Sequence, residues 1–127
     1  MVEKLVEVGI LFDFYGKLLS ERQFTAIELY YVHDLSLAEI GEELGISRQS
    51  VYDTLKRAEE NLYEYEKTLG LVKKFDFSRE EIDKLYGIID EIEIEAGNIN
   101  NYMILKKIKD LKEIVRRIID NSQEVVN

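Results

Sequence analysis

Residues 36–58 read SLAEIGEELGISRQSVYDTLKRA, and this is the spacing of a helix-turn-helix. Ser36 and Glu39 form a capping box that starts a short first helix. Gly45 can adopt the positive φ that ends that helix, and Ser47 can cap the second one. The sequence therefore predicts two helices that cross steeply through a turn of three or four residues.

The interior of the motif follows from its apolar and small residues. Four side chains are expected to point inward and fix the crossing: Ile40, Leu44, Ile46 and Val51. Gly41 is small at the position where the two helices must approach closely. The second helix continues to Gly70, because its apolar residues recur at spacings of four and three: Val51, Leu55, Ala58, Leu62 and Tyr65. That stripe predicts one buried helix face.

The second helix also carries residue types that contact DNA. The candidate DNA-binding residues are Ser47, Arg48, Gln49, Ser50, Tyr52, Lys56 and Arg57. Arg48 and Gln49 can donate hydrogen bonds to purine edges, and the hydroxyl and basic groups of the others suit phosphates. The end capped by Ser47 carries unpaired N–H groups and partial positive charge, which such motifs place against DNA.

The charge of the chain limits this interpretation. Its 17 basic and 26 acidic residues give a net charge of −9 and a pI near 4.7, so bulk nucleic acid and anionic membranes repel it. Residues 47–58 carry a local excess of positive charge, because Arg48, Lys56 and Arg57 oppose only Asp53. Residues 36–62 are nevertheless acidic overall. We therefore expect weak nonspecific affinity, and useful DNA affinity would require dimerisation or a partner.

Two helices are predicted before the motif. The first covers about residues 3–18 and places five apolar residues at helical spacing: Leu5, Val8, Phe12, Tyr15 and Leu19. The second begins at the capping box of Ser20 and Gln23 and runs to about Val32. Its recurring apolar residues are Phe24, Ile27, Tyr31 and Leu35. Together with the motif, these helices predict a helix-turn-helix domain over residues 1–69.

After the motif, the pattern predicts a connector over residues 70–77, a helical hairpin over 78–121 and a tail over 122–127. The capping box of Ser78 and Glu81 marks the start of the hairpin, and Gly97 and Asn98 supply its stop and its second cap. The predicted seams are Ile82, Leu85, Ile89, Ile92 and Ala96, and then Ile104, Ile108, Leu111, Val115 and Ile118. Alternating spacings of three and four are typical of helix-to-helix packing.

More apolar residues lie on the hairpin than one seam uses. Ile88, Ile94, Ile114 and Ile119 fall off the predicted seams. One interpretation is that they pack back on the N-terminal half, and the other is that they form a homodimer interface. The balance slightly favours the dimer.

Several classes of protein are excluded or disfavoured by composition. Cysteine is absent and His33 is the one histidine, which removes disulfides, Cys-ligated metals and two-His metal motifs. No apolar run reaches the 18 or so residues of a membrane span, the N-terminus has no signal-peptide architecture, and no glycine-rich phosphate loop is present. We expect a cytoplasmic protein with no enzymatic activity, no cofactor and no metal.

The chain resembles the YlxM family of small bacterial helix-turn-helix proteins. The resemblance rests on residues 11–15, LFDFY, on residues 35–40, LSLAEI, on residues 47–53, SRQSVYD, and on Leu19 with Gln23 and residues 65–69, YEKTL. It covers about residues 10–77 well and the hairpin loosely. The motif itself is similar to region 4 of primary-type sigma factors, whose recognition helix reads promoter DNA.

This resemblance implies a cytosolic all-helical protein with a regulatory role linked to the signal recognition particle pathway, and the sigma likeness carries Arg48, Gln49, Tyr52 and Lys56 over as DNA-facing positions. Together with the residue patterns, the predicted fold is all-α, a sigma region 4-like bundle without a β-wing followed by the C-terminal hairpin. The leading hypothesis is a DNA-binding regulator, because of the local positive charge of the Ser47–Arg57 helix. The chain lacks the rest of a sigma factor and should not initiate transcription. The alternative is a protein- or RNA-interaction module of that pathway that binds no DNA directly.

Overall fold

The computed structural model describes the backbone of residues 2–126 and the side chains of residues 2–121. Its helices are α1 (Val2–Tyr15), α2 (Glu21–Ile27), α3 (Leu37–Leu44), α4 (Arg48–Leu69), α5 (Leu71–Asn98) and α6 (Tyr102–Val126). No strand occurs in this part of the chain, which confirms the all-α prediction. Two compact units divide the chain, residues 1–72 and residues 73–127. The backbone of residues 122–126, predicted as a tail, continues α6.

The core of the first unit forms around α4. Its buried residues come from all four helices and the segment after α1: Val8, Leu11, Tyr15, Leu19, Ala26, Ile27, Ile40, Val51, Leu55, Ala58 and Leu62. The predicted stripe of α4 is confirmed, because α1, α2 and α3 all pack against that helix. Leu5 was expected on the buried face of α1 and is instead half exposed.

Local hydrogen bonds start α2, α3 and α4 where the sequence places them. Ser20 and Ser36 each form a complete capping box, with Gln23 and Glu39 respectively. Oγ of Ser47 accepts the N–H of Ser50 at 3.0 Å. These bonds satisfy amides that a helix start otherwise leaves without partners, so these three helix starts are confirmed.

The ends of the two N-terminal helices differ from regular α-helix. After α1, residues Gly16–Leu18 tighten into a 3₁₀ turn. After α2, residues Glu28–Val32 widen into a π-helical turn, in which the N–H of His33 donates to the carbonyl of Glu28 at 3.1 Å. The helical extents predicted for both segments are correct, and the geometry of their last turns is not α-helical.

The start of α5 corrects the sequence prediction. Residues 71–77, predicted as a connector, are helical, and Ser78 lies inside α5 instead of capping it. The first amides of α5 find partners elsewhere: the N–H of Leu71 donates to Oη of Tyr15 at 3.0 Å, and the N–H of Val72 donates to Oε1 of Glu66 at 3.0 Å. Because these side chains replace a local cap, the helix begins directly after Gly70, whose φ is +62°.

The second unit is an antiparallel hairpin of α5 and α6. Its apolar cluster consists of Ile82, Tyr86, Ile89, Ala96, Leu105, Ile108, Val115 and Ile119. Half of the predicted seam is wrong, because five of its residues lie at the exposed edge of the cluster: Leu85, Ile92, Ile104, Leu111 and Ile118. The turn is also displaced, since Asn100 takes the positive φ of +53° and Oδ1 of Asn101 caps α6 through the N–H of Ile104. Gly97 and Asn98, predicted to do this, lie within α5.

A charged layer lies within the observed seam. Glu93 and Lys112 continue the alternating spacing of the buried residues on α5 and α6. Nζ of Lys112 lies 3.2 Å from Glu93 and 3.3 Å from Asp90. These two carboxylates hold the pKa of Lys112 above its usual value through hydrogen bonds. Glu93 and Lys112 thus take the seam positions that the sequence assigns to the neighbouring Ile92 and Leu111, and Tyr86, Leu105 and Ile119 replace Leu85, Ile104 and Ile118 in the same way.

We expect the stability of the first unit to fall as the pH rises above 10. Burial, and then the hydrogen bond that the Tyr31 hydroxyl donates to Glu59, raise the pKa of Tyr31 above its ordinary value of 10. The unfolded chain releases this proton near pH 10, whereas the folded chain retains it, so the contribution present below pH 10 is lost above it. Urea unfolding at pH 8 and pH 11 measures the loss, which should be smaller in Tyr31→Phe. An equal loss in that variant would contradict the assignment.

Candidate nucleic-acid interface

The turn between α3 and α4 is built on a close backbone approach at Gly41. Its carbonyl accepts the N–H groups of both Gly45 and Ile46, and Gly45 has a φ of +68°. An added Cβ at Gly41 would lie 2.8 Å from the carbonyl oxygen of Ile46, so only glycine fits without a shift of the turn. Ile40 and Val51 are fully buried beneath this approach. The predicted helix-turn-helix geometry is confirmed.

The N-terminal end of α4 projects polar groups into solvent. Ser47 and Ser50 are exposed, and their hydroxyls lie 3.0 Å apart, with Ser47 donating. The N–H groups of the first turn point outward at the same end and carry the positive pole of a helix of 22 residues. Such an end favours a phosphate group.

One stripe of α4 faces away from the core. Gln49, Tyr52, Asp53 and Lys56 follow the spacing i, i+3, i+4 and i+7, which places them on one face of a helix. All four are exposed, and Tyr52 is 49 % exposed. Nε2 of Gln49 donates to Oδ1 of Asp53 at 3.1 Å. The stripe therefore combines an amide, a phenol and an ammonium group that can all reach a ligand.

The remaining candidate residues lie on the flanks of this stripe. Ser50 and Arg57 are seven residues apart and share one flank, whereas Arg48 lies on the other, one turn before Tyr52. Both arginines are exposed. If α4 lies in a groove that is wide enough to receive it, the two arginines face opposite walls of the groove and the stripe faces the floor between them.

Two acidic residues share the outer face and were not among the candidates from sequence. Asp53 accepts from Gln49, and Glu60 lies one turn beyond Lys56 and is exposed. The i, i+4 pairing of Gln49 with Asp53 is a signal visible in the sequence. Both carboxylates would repel phosphates, and Asp53 lies between Gln49 and Lys56 on the exposed stripe itself.

The preceding helix presents an acidic surface. Leu35, Glu39, Glu42 and Glu43 line an open cavity of about 440 Å³. Glu39 has a structural role there, because its Oε1 accepts the N–H of Ser36 at 3.0 Å, and hydrogen bonds from Ser36 hold the pKa of Glu39 below its usual value. Glu42 and Glu43 are exposed. This surface disfavours a second phosphate contact from α3.

Two kinds of feature are absent from the part of the chain that the structure describes. Within residues 2–126, no helix is long and apolar enough to cross a bilayer. Among the described side chains, no group of three or more His, Asp or Glu residues is arranged to hold a metal ion.

Comparison with known proteins gives consistent results. The family described as "Putative helix-turn-helix protein, YlxM / p13 like" (UPF0122) matches residues 2–101. The chain is 44 % identical over 110 residues to a UPF0122 protein of Desulforamulus reducens, covering 84 % of this chain and 94 % of the relative. It is 41 % identical over 115 residues to one of Acetivibrio thermocellus, covering 90 % and 98 %, and 47 % identical over 93 residues to one of Bacillus cereus, covering 73 % and 84 %. These matches confirm the resemblance and extend it through α5.

Proposed function

The chain belongs to the UPF0122 family of YlxM/p13-like helix-turn-helix proteins, and we propose that it is a cytoplasmic, non-enzymatic regulator that binds double-stranded DNA. The contact is made by the first three turns of α4, lying in the major groove. Ser47 and Ser50 contact a phosphate at the helix start, Gln49 reaches base edges, and Arg48 contacts a phosphate on one wall of the groove. Tyr52, Lys56 and Arg57 contact the backbone on either side.

The observation that carries this proposal is the exposure of all seven candidate side chains on a helix whose other face is buried. Val51, Leu55 and Ala58 anchor the inner face in the core of the first unit. The crossing at Gly41 fixes the orientation of α4 relative to α3. A rigidly held helix with exposed amide, hydroxyl and basic groups supports groove recognition more than it supports a purely structural role.

The charges of the interface imply that one chain binds weakly. Only three cations lie on the first three turns of α4, and Asp53 opposes them. Each phosphate contact contributes about 0.9 to the slope of log K against log salt, so a single chain can supply a slope of roughly three. We therefore propose that the protein acts as a homodimer, with the hairpin as its dimerisation element, because two α4 helices double the number of contacts.

We expect the loss of these cations to reduce both DNA affinity and its salt dependence. In fluorescence anisotropy with duplex DNA at 50 and 200 mM salt, Arg48→Ala should lower the salt slope by about 0.9 per chain and Lys56→Ala/Arg57→Ala by about 1.8. Gln49→Ala should leave the slope unchanged and reduce discrimination between sequences, because it removes a contact to bases and not to phosphates.

A matched control separates the local effect from the change in net charge. Lys17 is exposed next to Leu18, and the carbonyl of Leu18 accepts the hydroxyl of Tyr65 at the other end of α4. Lys17→Ala removes one positive charge far from residues 47–57 and should change neither affinity nor slope. If the α4 variants behave as Lys17→Ala does, or if binding shows no salt dependence, direct DNA binding by α4 is refuted.

The second candidate function is a protein- or RNA-interaction module of the signal recognition particle pathway with no direct DNA binding. The acidic cavity lined by Glu42 and Glu43 favours the protein-binding form of this function, because this surface suits a basic protein better than a phosphate backbone of DNA or RNA. The test is a pull-down with the purified particle protein and RNA. This function is supported over DNA-binding regulation if either component is recovered, if Arg48→Ala does not change that recovery, and if the protein binds no DNA.

A further inference from the structure

The hairpin exposes an apolar face that its own seam does not use. On α5 this face contains Leu85, Ile88 and Ile92, and on α6 it contains Ile104, Leu111, Ile114 and Ile118. At 100° per residue, each set falls on one side of its helix, roughly 60–140° from the middle of the seam and in the same rotational sense. In an antiparallel pair such positions lie on the same side of the hairpin. The seven residues therefore form one face, here called the outer hairpin face.

The register of the hairpin sets which residues of this face are level with one another. The contact of Lys112 with Glu93 places residues whose numbers sum to about 204 at the same height. Two apolar layers result: Leu85 with Ile118, and Ile92 with Leu111. On each helix these residues are seven positions apart, which is the repeat that a further pair of helices would pack against.

The two edges of the outer hairpin face carry opposite charge. Exposed Glu95 borders the face on α5, and exposed Lys107 borders it on α6 at the same height. More broadly, residues 76–97 hold eight acids against two bases, and residues 98–127 hold six bases against four acids. A partner for this face must therefore be apolar in the middle, basic where it meets α5 and acidic where it meets α6.

A second copy of the chain has this chemistry. We propose that the outer hairpin face binds the same face of a second copy, with a two-fold axis parallel to the helices. This axis packs α5 of one chain against α6 of the other, keeps the two apolar layers level, and places Glu95 opposite Lys107 twice. A two-fold axis perpendicular to the helices would instead pack the acidic α5 against its own copy, which costs electrostatic energy.

This arrangement is a four-helix bundle of two hairpins, a packing that buries such stripes in many proteins. It does not rest on DNA binding, because no residue of α4 takes part in it. Its failure would leave the DNA test of single chains unaffected, and a failure of DNA binding would leave the dimer unaffected.

The experiment measures dimer dissociation by sedimentation equilibrium of the full chain between about 1 and 100 μM. Wild type should be a dimer in this range, and Ile114→Glu should be a monomer because it places a charge in the apolar face. Glu95→Lys and Lys107→Glu should each weaken the dimer by about tenfold, since each creates two pairs of like charges. An equimolar mixture of these two variants should recover the wild-type dimer, because the mixed dimer pairs opposite charges at both contacts.

Three controls make the outcome decisive. Glu91→Lys and Lys106→Glu make the same charge changes on exposed positions turned away from the face and should leave the dimer intact. Val6→Glu alters the exposed side of α1, where Val6 is 57 % exposed, and should also have no effect. A monomeric wild type, a mixture that fails to recover the dimer, or dissociation by Val6→Glu with Glu95→Lys silent would overturn the proposal. Helical circular dichroism confirms that each variant is folded.

Discussion

Gly41→Ala is expected to destabilise the first unit by about 1–3 kcal/mol, although alanine is the better helix former. The added Cβ would lie 2.8 Å from the carbonyl oxygen of Ile46. That oxygen belongs to the backbone of the turn between α3 and α4. The hydrogen bonds that the Gly41 carbonyl accepts from Gly45 and Ile46 hold this backbone in place. The clash at the added Cβ can therefore be relieved only by separating α3 from α4, because no side-chain rotation removes it.

Two glycines in other helices provide matched controls for this prediction. Gly9 in α1 and Gly87 in α5 have nothing within 4 Å of an added Cβ, so Gly9→Ala and Gly87→Ala should each stabilise by about 0.5–1 kcal/mol. Thermal and urea unfolding measure all three changes. Gly41→Ala should also weaken DNA binding even where it remains folded, because it changes how α4 is held. A Gly41→Ala protein as stable as Gly87→Ala would show that the close approach does not constrain the turn.

The elements predicted correctly are those whose determinants are local in sequence. Ser20, Ser36 and Ser47 bond to amides only three residues away, and Gly45 ends α3 through its own φ. The stripe of α4 lies on a helix with one strongly apolar face. The exposure of Arg48, Gln49 and Lys56 then follows from their positions off that stripe. The fold class, the helix-turn-helix motif and the candidate surface could therefore be predicted from residues that are only a few positions apart in the sequence.

The start of α5 could not be predicted because its determinants are distant. Ser78 and Glu81 form a good capping pattern, yet the helix begins seven residues earlier. The hydroxyl that accepts from Leu71 belongs to Tyr15, 56 positions away. Only the folded first unit brings that hydroxyl to the end of α4, so no local sequence pattern predicts that α5 begins there.

The prediction of the hairpin seam was half wrong for a different reason. Both α5 and α6 carry two adjacent apolar stripes, and a single helix gives no basis for choosing between them. The observed seam accepts Glu93 and Lys112 as a charged layer and leaves Leu85, Ile92 and Leu111 at the edge. The sequence favours the continuous apolar stripe. The pairing of α5 with α6 in the structure selects the other one.

Glu66→Ala is expected to open the start of α5 and to cost the first unit about 1–3 kcal/mol, the usual penalty for leaving buried polar groups without partners. Oε1 of Glu66 accepts the Tyr15 hydroxyl at 2.5 Å and the N–H of Val72 at 3.0 Å, and Tyr15 is 1 % exposed. Tyr15→Phe keeps the ring packed and removes the hydroxyl that bonds to both Glu66 and the Leu71 N–H. Because Glu66 still accepts the N–H of Val72 in this variant, it should cost less.

Hydrogen exchange measured by NMR distinguishes the local opening of the start of α5 from a general loss of stability. In Glu66→Ala the amides of Leu71 and Val72 should exchange much faster, by more than the global destabilisation accounts for, whereas the amide of Val51 should follow the global change alone. Glu64 is exposed on the same helix, and Glu64→Ala should alter stability by no more than about 0.5 kcal/mol. If Leu71 and Val72 remain as protected as Val51 in Glu66→Ala, then α5 does not depend on Tyr15 and Glu66, and its early start must come from the propensity of residues 71–77 alone.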